Sequence, residues 1–272
     1  MSVVTRNVSE YVRKKGINLS ELSRSTKIQY RAIYDSLAKP ERDRDLRDHE
    51  LIKICTFLGV DPIEDLKPRY GVGGVDLSST TDLTAAKVLF KIPESEKIYT
   101  LSMYWIPEDL VEKRITEDKI PYDIWIEKGY VRTCKGNKIS YKDVRAWFVE
   151  IQEKYDIYIN MIGYDSWSAA YFVEDMQEYF GKTAMIPIIQ GKKTLSQPMK
   201  NLGADLENNL IVYNNNPVDK WCLCNTAVDI DRNDNIQPIK TSKPRRRIDG
   251  TAALLDAYVV LQNNYNEYMS LI

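Results

Sequence analysis

The spacing of apolar residues changes once along this 272-residue chain, near residue 70, and that change limits the folds open to it. Before it, apolar residues recur three and four positions apart, as at Val8, Tyr11 and Val12, which is typical of amphipathic helices. After it, apolar runs such as 72–75 stand beside glycines, which is typical of buried strands. We therefore expect an all-helical domain over residues 1–67 and an α/β domain over residues 70–272.

Helix start and stop signals subdivide the first domain. Asn18 is a candidate N-cap for a short helix over residues 19–25. A tight turn over 26–28 and a second helix over 29–38 complete the pattern. Two short helices joined by so tight a turn predict a helix-turn-helix inside a small helical bundle.

Two stretches of the first domain resemble the Cro/lambda-repressor-like family of DNA-binding proteins. They are Leu19-Ser-Glu-Leu-Ser-Arg-Ser-Thr-Lys-Ile-Gln-Tyr-Arg-Ala-Ile-Tyr and Leu51-Ile-Lys-Ile-Cys-Thr-Phe-Leu-Gly-Val-Asp-Pro. The resemblance implies a groove-facing helix surface formed by Gln29, Tyr30, Arg31 and Tyr34, where Gln pairs with adenine and Arg with guanine or phosphate. The alternative is a helical bundle whose polar face is only solvated. Residues 1–69 carry 14 Lys and Arg against 11 Asp and Glu, which is compatible with DNA binding without showing it.

The second domain combines consecutive strands with a later alternation of strands and helices. We expect a charged, helix-rich stretch over 107–155 and a last helix from about 250 to 268. The remaining elements are strands over 71–77, 83–90, 97–105, 157–163 and 183–189 and helices over 166–180 and 195–208. A meander followed by this alternation predicts a mixed α/β sheet with helices on both faces.

Three aspartates stand where strands end or helices begin. Asp76 follows an apolar strand, Asp165 follows another, and Asp249 precedes the last helix. Hard divalent cations prefer oxygen ligands, and two ions about 4 Å apart can activate a water and stabilise the leaving oxygen of a phosphodiester. Three acids at such boundaries are what a two-metal site needs. Taken singly, each acid also fits an N-cap or a turn, and this applies most to Asp165 and Asp249.

Several spaced motifs resemble the nuclease domain of phage large terminases, in that family's order. They are Gly73-Gly-Val-Asp-Leu-Ser-Ser-Thr-Thr-Asp-Leu, Ile162-Gly-Tyr-Asp-Ser-Trp, Gln190-Gly, Leu195-Ser-Gln-Pro-Met-Lys, Asn215-Asn-Pro and Ile248-Asp-Gly-Thr-Ala-Ala. The resemblance implies a ribonuclease H-like fold that cuts double-stranded DNA with two Mg²⁺ or Mn²⁺ ions held by Asp76, Asp165 and Asp249. It makes Asp82 an auxiliary acid. Asp256 competes as third ligand, but it lies two turns further along the helix, and we rank Asp249 above it.

Basic residues near these motifs are candidates for binding the DNA backbone. They are Lys200, Lys240 and, from the run Lys243-Pro-Arg-Arg-Arg, Arg245, Arg246 and Arg247. The alternative is that the run is a solvated loop, as most charge runs are. The four cysteines lack the spacing of a zinc site and are expected to be reduced thiols.

A complete large terminase also carries an ATPase motor, and this sequence has no G-x-x-x-x-G-K-[ST] phosphate loop. We therefore expect no ATP binding. The expected partner is double-stranded DNA, with the small terminase subunit and the portal as candidates from family association. With no secretion signal and no apolar run long enough to span a membrane, we expect a cytoplasmic protein of a phage or prophage.

Three functional hypotheses follow from these patterns. The first is a metal-dependent endonuclease tethered to DNA by its helical domain. The second is a DNA-binding regulator in which residues 70–272 are an inactive terminase remnant used for oligomerisation or docking. The third is a structural assembly protein. Metal-dependent cleavage separates the first from the other two.

Overall fold

The computed structural model describes residues 3–42, 44–59, 69–78, 83–92, 95–166, 170–240 and 246–272. The chain divides into two compact units, one formed by residues 1–67 with 92–95 and the other by residues 68–91 with 96–272. No helix among the described residues is long and apolar enough to cross a membrane. All four cysteines lie among the described residues as reduced thiols; Cys55, Cys134 and Cys222 are buried and Cys224 is exposed.

The first unit is a bundle of short helices. Its elements are α1 (Val3–Lys14), α2 (Leu19–Thr26), α3 (Tyr30–Leu37), a 3-10 turn (Pro40–Arg42) and α4 (Asp48–Leu58). The Asn18 side chain accepts hydrogen bonds from the backbone N–H groups of Ser20 and Glu21, which confirms the predicted N-cap of α2. The apolar sides of the helices meet in one core made of Val12, Leu22, Ile28, Ile33, Leu37 and Ile54.

The second unit is built on a seven-stranded mixed sheet. Its strands are β1 (Tyr70–Asp76), β2 (Thr84–Lys91), β3 (Ile98–Pro107), β4 (Val131–Cys134), β5 (Tyr158–Asp165), β6 (Met185–Ile188) and β7 (Ile211–Val212). The order is β4-β3-β2-β1-β5-β6, with β7 beside β3. Strands β1 to β3 form the predicted antiparallel meander, and β5 and β6 continue it in parallel with β1.

Helices cover both faces of this sheet, which confirms the predicted mixed α/β architecture. The helices of this unit are α5 (Val111–Asp118), α6 (Tyr122–Glu127), α7 (Tyr141–Tyr155), α8 (Ala170–Phe180), α9 (Lys192–Glu207), α10 (Pro217–Asn225), α11 (Asp249–Asn263) and α12 (Tyr265–Met269). One core places α7 and α8 side chains such as Phe148 and Phe172 against Val75 and Ile162. Another places α9 and α11 against Val72 and Met161. Residues 249–251 and 253–261 of α11 are buried, so α11 is a central helix rather than an amphipathic surface helix.

Three features of the second unit differ from the sequence expectation, and one of them is that β7 and α10 form where no element was predicted. The stretch over 107–155 is not purely helical, because β4 inserts into it and pairs in parallel with β3. A hairpin of β8 (Thr226–Ile230) and β9 (Ile236–Lys240) forms where no element was predicted. Asp231 is a turn-forming residue that could have predicted this hairpin. Its carboxylate accepts hydrogen bonds from the backbone N–H groups of Asn233 and Asn235 and so stabilises the turn.

Candidate active site

Asp76 and Asp165 lie at the same level on two neighbouring strands. Strands β1 and β5 run parallel, and their last paired residues are Val75 and Tyr164. The next residue on each strand is an aspartate, so two carboxylates stand side by side at the carboxyl edge of the sheet, where parallel neighbours are about 4.8 Å apart. Each aspartate is two residues beyond a glycine, Gly74 or Gly163, and therefore points to the same face as that glycine.

The glycine face of these strands allows α11 to lie directly against the sheet. A Cβ atom on Gly74 would come under 3.0 Å from the backbone of both Ala253 and Ala257. A Cβ atom on Gly163 would lie 2.6 Å from the carbonyl oxygen of Asp256. Side chains at these two positions would force the helix away from the sheet. Glycine is required here for close backbone approach, which places α11 beside the strand-end aspartates.

Helix α11 crosses the strands instead of running away from their ends. Its first turn, at Gly250, packs on Tyr104 of β3, while Ala253 and Ala257 pack on β1. The carbonyl of Asp256 reaches β5. Because of this crossing, both acids of the helix belong to the site, although Asp256 is two turns beyond Asp249. Asp82 lies outside the described residues.

Four aspartates from three elements share one electrostatic environment. The pKa of Asp76 is raised well above its ordinary value, first by burial and then by the negative charges of Asp249, Asp256 and Asp165, while Lys240 acts in the opposite direction. The pKa of Asp256 is raised to about 8, first by burial and also by the negative charge of Asp165, while a hydrogen bond from Gln190 acts in the opposite direction. Such mutual influence between carboxyl groups requires them to be close in space.

Gln190 supplies a polar contact to this cluster from the loop after β6. Its side-chain amide donates a hydrogen bond of 3.0 Å to Oδ1 of Asp256. Asp249 and Asp256 are only 3% and 2% exposed, so they are nearly closed off from water on the helix side. Asp76 and Asp165 are half-buried, so the cluster opens toward solvent at the strand ends.

The basic side chains that were predicted to bind the DNA backbone differ in their exposure to solvent. Lys240 is exposed at the end of β9, and its charge acts on Asp76. Lys200 is exposed on α9, Arg246 is half-buried, and Arg245 lies outside the described residues. Arg247 differs from the expectation of a phosphate ligand, because it is 6% exposed and its Nε bonds the Asp118 carboxylate at 2.9 Å.

A comparison with known families agrees with the motifs and the fold. The model of the family described as terminase large subunit, endonuclease domain, matches residues 18–264. The chain belongs to this terminase family. The matched range begins at residue 18 and therefore includes α2, α3 and α4 as well as the sheet.

The chain spans about two fifths or less of the length of the curated relatives it matches. The terminase large subunit of Enterobacteria phage HK97 is 28% identical over 188 residues, 69% of this chain and 36% of that protein. Protein YmfN of Escherichia coli K12 is 26% identical over 67% of this chain and 41% of that protein. The crystal structure of the HK97 large terminase matches with a TM-score of 0.63 at 22% identity, covering 85% of this chain and 54% of that chain. This match confirms the predicted fold class.

The donor chemistry of the terminase site fits a hard divalent cation. All four cluster side chains are carboxylates, which are ligands that Mg²⁺ and Mn²⁺ prefer. Burial and the neighbouring negative charges raise the pKa values of Asp76 and Asp256, and a divalent ion would relieve the repulsion between the carboxylates. Within the described ranges, no group of three or more His, Cys, Asp or Glu side chains is arranged so that it could hold a metal ion.

Without divalent cations, the free energy of unfolding is expected to fall as pH rises from about 5 to 8.5. Asp76 and Asp256 have raised pKa values in the folded protein, so their stabilising contribution is complete below the unfolded-state value of about 4 and is lost as pH rises through the folded value. For Asp256 this loss accumulates above the unfolded-state value and is complete just above pH 8. Urea unfolding in EDTA at several pH values measures it, with Asp256→Asn as the variant that flattens the profile. A wild-type profile that rises over this interval would contradict the electrostatic account.

A buried charged network lies on the same face of the sheet, and sequence analysis missed it. Lys87 of β2 is 1% exposed and pairs with the carboxylate of Asp219 on α10, which is 4% exposed. Ser102 and Tyr104 of β3 also donate hydrogen bonds to this carboxylate. The signal was a lysine inside the apolar strand sequence Thr84-Ala-Ala-Lys-Val-Leu-Phe. A buried ammonium of this kind requires a carboxylate partner.

Cys222 lies one turn after Asp219 on α10 and contacts the start of α11. The pKa of the Cys222 thiol is raised to about 12, first by burial and then by the negative charge of Asp249, while a hydrogen bond from the backbone N–H of Gly250 acts in the opposite direction. The first turn of α11 therefore packs against α10, and α10 is tied to the sheet by Lys87. These contacts lie beside the position of Asp249.

The four predicted DNA-contacting residues of the helical unit lie at the start of α3 and along it. Gln29 and Tyr30 are exposed, and the side chain of Arg31 is 86% exposed, with only a 3.9 Å ion pair to Asp35. Tyr34 is half-buried and stacks on Tyr30 with ring centroids 5.8 Å apart. The polar end of α3 is therefore accessible to a ligand.

Proposed function

We propose that this chain is a metal-dependent endonuclease that hydrolyses phosphodiester bonds of double-stranded DNA. The single observation that supports this most is the convergence of four aspartates, from β1, β5 and α11, on one edge of the sheet. Family membership supports the same class of activity. The cofactor we propose is a pair of Mg²⁺ or Mn²⁺ ions.

Asp76, Asp165 and Asp249 are the proposed ligands, with Asp256 as a fourth acid at the site. Bound divalent ions supply a nucleophile at neutral pH and offset the negative charge that develops on the phosphate. Residues of the chain itself favour cation binding at this site. Burial and mutual repulsion raise the pKa values of Asp76 and Asp256, so cation binding at these carboxyl groups is coupled to proton release. The hydrogen bond from Gln190 holds the Asp256 carboxyl group in one orientation.

The proposed DNA path passes the strand-end edge of the sheet. Lys240 is exposed next to the acids and is positioned to offset the charge of an approaching phosphate. Lys200 and Arg246 are further proposed contacts, whereas Arg247 is left out because it is committed to Asp118. In the helical unit, Gln29, Tyr30, Arg31 and Tyr34 form the proposed DNA-contacting surface. The small terminase subunit and the portal are proposed partners on family membership alone.

Plasmid cleavage by the purified chain tests the proposal. Supercoiled plasmid is expected to become nicked and linear in the presence of Mn²⁺ or Mg²⁺ and to remain intact in EDTA, because the acids without cations leave the phosphate charge uncompensated. Gel electrophoresis over time measures this, and Ca²⁺ serves as a control cation. Binding of duplex DNA with no cleavage in any metal would favour the regulator hypothesis instead.

A further inference from the structure

Cationic side chains converge on a cleft in the helical unit, between the start of α3 and the start of α4. The cleft has a volume of about 310 Å³. Its lining contains four side chains that are cationic at neutral pH, one carboxylate and the only histidine of the chain: Lys27, Arg44, Arg47, Lys53, Glu50 and His49. Positive charge therefore predominates in the lining, which disfavours cations and favours anions.

The one carboxylate of the cleft is already neutralised. Both oxygens of Glu50 accept hydrogen bonds from Nη2 of Arg44, at 2.8 and 3.0 Å, and one of them also accepts the backbone N–H of Arg47 at 2.9 Å. Burial acts to raise the pKa of Glu50, but these hydrogen bonds outweigh burial and lower it. The Arg44–Glu50 pair is thus a fixed wall of the cleft, and it leaves no uncompensated negative charge there.

The remaining cations are available to a ligand. Lys27, Arg47 and Lys53 are all exposed, and none of the described ion pairs engages them. The eleven-residue helix α4 also begins at the cleft, directly after Arg47, and the N-terminal end of a helix carries partial positive charge. Gln29, at the start of α3, adds an exposed amide on the opposite wall.

We propose that this cleft binds a phosphate group of the DNA backbone, separately from the aspartate site. Arginine and lysine at a helix N-terminus are the groups that recognise phosphate oxygens. DNA is the source we favour, because the exposed end of α3 continues from the cleft through Gln29 and Tyr30. The proposal does not depend on nuclease activity, since it concerns binding in the absence of metal.

The single histidine makes the cleft directly observable in the intact chain. With selectively ¹³C-labelled histidine and EDTA present, the imidazole resonances report only on His49. Adding a short DNA duplex is expected to shift them in a saturable manner. The double variant Arg47→Ala/Lys53→Ala is expected to weaken duplex binding at least about tenfold at low salt and to reduce the salt slope of log Kd by about 1 to 2.

A matched control removes the same charge from elsewhere in the helical unit. Lys14→Ala/Lys15→Ala replaces two exposed cations that do not line the cleft and is expected to leave duplex affinity within about twofold. Equal losses in both double variants, or an unshifted His49 when fluorescence anisotropy shows the duplex to be bound, would overturn the proposal. A shift with inorganic pyrophosphate but none with duplex would keep phosphate as the ligand chemistry and overturn DNA as its source.

Discussion

Replacing Asp76 with Asn is expected to abolish DNA cleavage and, at the same time, to stabilise the metal-free protein. Asp76 ends the central strand β1 and feels the charges of Asp165, Asp249 and Asp256. Loss of one proposed metal ligand would remove several kcal/mol of transition-state stabilisation, so the cleavage rate should fall at least about a thousandfold. The same change removes a buried, repelled carboxylate at neutral pH, so the free energy of unfolding in EDTA should rise.

The opposite signs of these two effects separate a functional role from a structural one. Plasmid cleavage in Mn²⁺ and thermal unfolding in EDTA are the two measurements. Asp123→Asn is the matched control, because Asp123 is exposed on α6 and does not act on the cluster, and it should change neither quantity. Cleavage by Asp76→Asn at the wild-type rate would remove Asp76 from the proposed site. Loss of both activity and stability would show that Asp76 supports the fold instead.

Replacing Lys87 with Met is expected to lower the free energy of unfolding by about 3 kcal/mol. Lys87 is almost fully buried, and its ammonium group donates to Asp219, to Ser102 at 2.9 Å and to Tyr104 at 2.9 Å. Without it, the Asp219 carboxylate remains buried with only hydroxyl donors, and an uncompensated buried charge costs more than the lost contact itself. Urea unfolding measures the change.

A double-mutant cycle tests whether the loss of stability comes from leaving the Asp219 carboxylate buried without its cation. Lys87→Met/Asp219→Leu removes both partners and is expected to lose less stability than the sum of the two single variants. Lys113→Met is the control, because its 3.8 Å pair with Glu117 is exposed, and pairs of this kind contribute under about 1 kcal/mol. A loss below about 1 kcal/mol for Lys87→Met would contradict the account of the network.

The positions of Asp76 and Asp165 at strand ends could be predicted, because the sequence signals that define their strands are local. Apolar runs define β1 and β5, and parallel neighbours bring the residues after those runs to one edge of the sheet. Asp76 and Asp165 follow directly from this pattern. The ranking of Asp249 above Asp256 did not anticipate that both would lie at the site. Sequence distance along a helix suggested separation, while the helix in fact crosses the sheet on Gly74 and Gly163.

The environment of each charged side chain, by contrast, depends on partners far away in sequence. Arg247 looks like a member of a solvated basic run, yet it pairs with Asp118 in the interior. Lys87 pairs with Asp219, and the two are separated by 132 positions. The partner in either pairing cannot be identified from local sequence, because ion pairs across a fold obey no fixed spacing. Only the packed chain shows which cations remain available to DNA.

Local chemistry along the chain determined the helical and α/β units, most of the strands, the capping of α2 and the two acids that end parallel strands, because periodicity and capping act over a few residues. Tertiary packing decided that α11 lies against two strand glycines, that a fourth aspartate joins the site, and which basic residues are buried in ion pairs. Those outcomes arise from contacts between distant segments, whose energies depend on three-dimensional distance and burial rather than on position in the sequence.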